Sequence, residues 1–111
     1  MRAALLLSAL ALGGCASLRE PSWKVYADCS AAYEANARLA DPGRTADMRA
    51  SIGDVAIDYQ VAAVPLYRHQ VGGDAEYAVN GTVAYIKSRT PAFAAKSRKD
   101  LDSYIEHCPQ V

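Results

Sequence analysis

Large aromatic rings are scarce in this sequence: one tryptophan and one phenylalanine occur in 111 residues. Any core must therefore draw on small apolar residues, alanine above all, and on seven tyrosines. An excess of charge is missing too, since 12 Lys and Arg stand against 12 Asp and Glu. That neutrality excludes nucleic acid as a partner, because such proteins present a basic face. There is no apolar run of membrane-spanning length. Ala3 to Leu12, interrupted only by Ser8, covers about ten residues where a spanning helix needs roughly twenty. No CxxC, no CxxCH and no paired histidines occur, so neither a metal site nor covalent haem is expected. No nucleophile elbow is present, and Gly72-Gly73 lacks the context of a phosphate loop. No catalytic residue, metal ligand or cofactor is assigned on these grounds, and an enzyme is the weakest reading. Strand alternation, internal repeats and low-complexity tracts are absent as well.

What the N-terminus does contain is ordered. Met1-Arg2 gives a positive start, Ala3–Leu12 an apolar stretch, and small residues follow, which is the layout of a secretory signal. The segment Leu12-Gly13-Gly14-Cys15 resembles the lipobox of bacterial lipoproteins. That resemblance implies lipid attachment at the Cys15 thiol, removal of the preceding peptide and acylation of the new amino terminus. It covers the N-terminal tenth of the chain only, and the mature part resembles no named family. Acyl chains bury methylenes at about 0.8 kcal/mol each, so the anchor is expected to be stable. Ala16, rather than Asp, follows the cysteine, which implies an outer-membrane protein facing the periplasm. The chain divides accordingly into a signal peptide (1–14), a lipidated tether (15–22) and one helical domain (23–111).

With Cys15 consumed by lipid, Cys29 and Cys108 remain in an oxidising compartment, where two leftover thiols normally pair. The bridge would close a loop of about 80 residues and contribute up to roughly 4.5 kcal/mol.

The mature chain reads as helices. Ser22 is placed to cap the first, in which Tyr26, Cys29, Tyr33, Asn36 and Ala40 share a face. Asp41-Pro42-Gly43 ends it. In the second, Met48, Ile52, Val55, Tyr59, Ala62 and Leu66 form the expected buried seam, with a kink or early stop at Pro65. Gly72-Gly73 closes that helix and Asp74 caps the next. There Ala75, Val79, Val83 and Ile86 make the apolar stripe, with Ala78 and Thr82 beside it, and Gly81 suggests close packing against a neighbour. Thr90-Pro91 reads as a break and a fresh helix start. Ser97 opens the last helix, which carries Leu101, Tyr104, Ile105 and Cys108. The expected fold is all-α, a small antiparallel four-helix bundle stapled by one disulfide. An even number of antiparallel helices brings Cys29 and Cys108 to the same level of the bundle, which supports that topology.

Surface chemistry is less specific. Asp54 and Asp58 lie one turn apart with Asp47 close to the same face, most simply a solvated acidic face. His69 and His107 read as surface polar residues. Lys87, Arg89, Lys96, Arg98 and Lys99 form a stretch without acidic residues, suited to anionic headgroups or an acidic partner. Tyr67, Tyr77 and Tyr85 fit the helical seams poorly and are candidates for a partner surface. The leading function is a non-catalytic envelope lipoprotein that binds or stabilises another envelope protein. A carrier or sensor of a small apolar ligand is the alternative, and an acid-stress chaperone matches in size, compartment and cysteine count alone.

Overall fold

A computed structural model describes residues 20–111. The expected signal peptide, Cys15 and most of the expected tether lie outside the described residues. Four helices follow one another: α1 (Trp23–Ala37), α2 (Ala46–Gln70), α3 (Ala75–Ala94) and α4 (Arg98–Glu106). Each begins on a side chain that accepts a first-turn N–H: Ser22 from Lys24, Thr45 from Met48, Asp74 from Tyr77 and Ser97 from Asp100. Such caps satisfy donors that a helix start otherwise leaves without partners. The turn between α2 and α3 needs its glycines, because Gly72 and Gly73 adopt φ of 109° and 88°, a region that costs other residues.

The helices run up, down, up and down. Trp23 at the start of α1 meets Gln70 at the end of α2, and Tyr67 near the end of α2 meets Gly81 in α3. Along α1 and α3, Trp23 packs on Tyr85 and Asp28 pairs with Arg89, so these two run parallel. Arg98 at the start of α4 reaches Asp41 beyond the end of α1, while Cys108 after α4 reaches Cys29. The disulfide joins Cys29 to Cys108 with their Cα atoms 5.9 Å apart. The protein is thus an all-α antiparallel bundle stapled by one disulfide, as the sequence predicts.

The centre of the bundle is α1, which packs against each of the other three helices. Eight of its fifteen residues are buried, among them Ala27, Ala31, Ala32 and Ala35. A helix covered on several sides must be apolar or small around most of its circumference. The alanines supply that and let neighbouring backbones come close. One polar contact exploits the closeness: the Ser30 hydroxyl donates to the Ala56 carbonyl of α2 at 2.7 Å, in the buried interior. Gly81 works the same way, since a Cβ there would lie 2.3 Å from the Tyr67 hydroxyl oxygen. The largest fully buried side chains are Phe93 and Leu101. Burying Leu101 alone is worth about 1.5–3 kcal/mol, which fixes the short α4 on α1.

Three sequence expectations need correction. The seam of α2 is rotated: Ala56, Tyr59, Ala63 and Tyr67 are buried, whereas Met48 is 52% exposed. The stripe of α3 keeps Ile86 but shifts onto the flanking Ala78 and Thr82 and on to Thr90 and Phe93, with Ala75 and Val79 exposed. Ala56, Ala63 and Ala78 fill the closest approaches, and Tyr59, Tyr67, Ile86 and Phe93 fill the wider ones. Finally, neither proline stops its helix. Pro65 lies inside α2, which continues to Gln70, and Pro91 lies inside the last turn of α3. Pro91 removes one backbone donor close to the helix end. Burial of Phe93 just beyond it outweighs that loss, and the helix closes at Ala94.

Candidate functional site

One concave surface lies along the first turns of α1, the middle of α2 and the C-terminal tail. It is a shallow, solvent-open depression of about 560 Å³, lined by Tyr26, Val61, Ala62, Leu66 and Val111 together with Asp58 and Gln110. Val61 is 64% and Val111 60% exposed, so the apolar lining faces water. Ile57, one turn before Val61, is also exposed and extends the patch. The Tyr26 ring in the lining belongs to an aromatic group with Tyr33 and Tyr59. Tyr59 stacks on Tyr33 at 5.3 Å and lies 6.4 Å from Tyr26.

The tail that forms one wall is held in two ways. Cys108 is bonded to Cys29, and the Tyr59 hydroxyl donates to the Pro109 carbonyl. Burial, then the neighbouring Tyr33 and Tyr26, push the Tyr59 hydroxyl above the usual tyrosine range. A neutral phenol is the form able to donate, so the contact is stable at physiological pH.

The tyrosines proposed as surface residues separate. Tyr77 is 55% exposed, but Tyr67 is only 8% exposed and belongs to the core. Its ring meets Trp23 edge-on at 4.7 Å and covers Gly81. Burial first, and then Tyr77, raise its hydroxyl above the ordinary value. Tyr85 is half-buried, edge-on to Trp23 at 4.8 Å. Only Tyr77 of the three therefore presents most of its ring to solvent.

The cationic stretch also separates. Arg89 pairs with Asp28 at 3.0 Å and its guanidinium lies 5.5 Å from the Phe93 ring centre. Asp28 raises the Arg89 pKa, and, after burial, raises those of Tyr85 and Tyr104 as well. Asp28, which the sequence reading passed over, is thus the hub where α1, α3 and α4 meet. Its partners lie far along the chain, and no local spacing points to them. Arg98 pairs with Asp41 and, at 3.7 Å, with Asp102. Among the described residues Lys87, Lys96 and Lys99 have no ion-pair partner and remain exposed.

Neither His69 nor His107 pairs with Asp54 or Asp58 among the described residues. His69 faces Glu20 at 3.6 Å, and His107 lies 2.7 Å from the Ser103 carbonyl. No group of three metal-ligating side chains converges among the described residues, and no helix there is long and apolar enough to cross a membrane. The chain matches no protein-family model, no curated protein and no solved structure.

Proposed function

We propose that this is a bacterial envelope lipoprotein, anchored through Cys15, whose helical domain binds another envelope protein without catalysing a reaction. The observation that carries the reading is the apolar groove between α1, α2 and the tail. Val61, Ile57 and Val111 leave apolar area in water there, and contiguous apolar surface rimmed by polar groups is typical of protein-binding sites. The Asp58 and Gln110 side chains in its lining suit a partner with matching polar groups. The disulfide supports an oxidising compartment, in keeping with export, and the lipobox-like Leu12-Gly13-Gly14-Cys15 supports the anchor. The lack of Asp after Cys15 favours the outer membrane and its periplasmic face.

Two experiments test the reading. Cys15→Ala moves the protein from the membrane to the soluble fraction, or leaves its signal uncut; a correctly processed variant that stays on the membrane refutes the anchor. A photoreactive residue at Val61 or Val111 yields a discrete crosslinked adduct in intact cells, weakened by Ile57→Glu. Adducts no stronger than those from a control position at Lys99 refute the groove as the binding surface.

A further inference from the structure

The chain enters the domain at one end of the bundle, and exposed apolar side chains gather at that same end. Gln70 ties the entry point down: its Nε2 donates to the Pro21 carbonyl and its Oε1 accepts from the Trp23 amide, both at 2.8 Å. The start of α1, the end of α2 and the start of α3 therefore lie together. Around them Val25 is 41%, Val71 51% and Tyr77 55% exposed. Tyr77 is placed by its surroundings, since it lies against Gly73, where a Cβ would come within 2.3 Å of its ring.

The anchor reading proposed above, on which this inference rests, puts the lipid five residues before Glu20. Fully extended, that stretch spans about 17 Å. An acylated Cys15 therefore holds this end of the bundle near the headgroups. The opposite end is separated from it by α3, whose twenty residues span about 30 Å.

We infer that the bundle stands with this end on the bilayer that holds its anchor, with Val25, Val71 and Tyr77 seated at the lipid interface. Tyrosine suits that boundary, where one edge of the ring is apolar and the other wet. Lys24 and Arg68 share the surface with Glu20, Asp74 and Glu76. The cations do not outnumber the carboxylates, so the contact is apolar and needs no anionic lipid. Lys96 and Lys99, beyond the far end of α3, point away from the membrane and do not meet the same headgroups.

The test uses the full lipoprotein, extracted from its membranes and reconstituted in vesicles of phosphatidylcholine. An environment-sensitive fluorophore is placed on cysteines introduced by Val71→Cys, Tyr77→Cys, Lys96→Cys or Lys99→Cys, and lipids carry a nitroxide quencher near the headgroup. Labels at 71 and 77 lose most of their emission, and those at 96 and 99 lose none. Equal quenching at all four positions, or none at 71 and 77, overturns the orientation. Quenching at 71 and 77 that appears only when phosphatidylglycerol is added overturns the apolar contact. Intact mass of the same preparation reports the acyl chains separately, so protein without them overturns the anchor and the orientation together.

Discussion

Replacing both bridged cysteines, by Cys29→Ala with Cys108→Ala, tests how the domain is held. The bridge spans a sequence separation of 79 residues. In the chain-entropy treatment a loop of that length restricts the unfolded chain by about 4.5 kcal/mol. Small domains are stable by roughly 5–15 kcal/mol, so the variant keeps only part of its margin. At 4–8 °C per kcal/mol for a domain of this size, the melting temperature falls by roughly 20–35 °C. The loss also has a place. The helix α4 has nine residues, fewer than the 12–15 or so that an isolated helix needs. Without the bridge it is held mainly by Leu101 and by the Phe93–Tyr104 ring contact at 4.7 Å. Urea titration followed by circular dichroism reads the global loss, and amide hydrogen exchange reads the local one. Residues 98–106 exchange first in the variant, well before α1 and α2. A midpoint shift worth under about 1 kcal/mol, with α4 amides as protected as those of α1, refutes both the magnitude and its location.

Further predictions concern single contacts. Gly81→Ala gains nearly 1 kcal/mol of helix propensity but drives its Cβ into Tyr67. Overpacking costs about 1–3 kcal/mol, so thermal stability falls; a raised melting temperature refutes the close contact. Tyr59→Phe deletes the donor to the Pro109 carbonyl and costs about 0.5–1.5 kcal/mol. It also speeds carboxypeptidase trimming of the tail, and an unchanged trimming rate would show that the contact does not hold it. The Gly43 amide first, and then Arg98, hold the Asp41 carboxyl below its ordinary value. A depressed folded pKa gives stability that is present above the unfolded value and lost as pH falls through the folded one. Asp41→Asn therefore flattens the fall in stability below about pH 4, and an unaltered acid limb in pH-dependent melts argues against the contact. Tyr59, Tyr67, Tyr85 and Tyr104 are all pushed above the ordinary tyrosine value, by burial first. Their sign is opposite: stability is whole below about pH 10 and lost as pH rises through the folded values. Phenolate absorbance from these four rises only above the ordinary tyrosine range, and early ionisation of a tyrosine lost in Tyr67→Phe refutes its burial.

How much of this was legible depended on how local each cause is. Ser22, Asp74 and Ser97 were readable as caps because a cap acts within three residues. Pairing of Cys29 with Cys108 was readable because the cysteines are few. The helix faces were misread by part of a turn, since Met48 and Val79 carry a strong apolar signal and Ala56 and Ala78 a weak one. Only the approach of α1 makes the small residues the buried ones. Pro91 misled for a related reason, because the burial of Phe93 is a tertiary fact. Of the candidate surfaces, Tyr67 could not be told from Tyr77 by spacing. The groove of Tyr26, Val61 and Val111 joins three distant parts of the chain, and Asp28 finds Arg89 61 residues away.

The central position of α1 sets an order in time. It is the first of the four described helices to be made, and the partners that enclose it come later. Its contact with Arg89 waits for most of the chain, and the thiol of Cys29 waits longer still, for a residue near the last turn. Until then an alanine-rich helix with little surface to bury must remain without its shelter. Closure of the domain is therefore completed at its C-terminal end, and the disulfide records that completion.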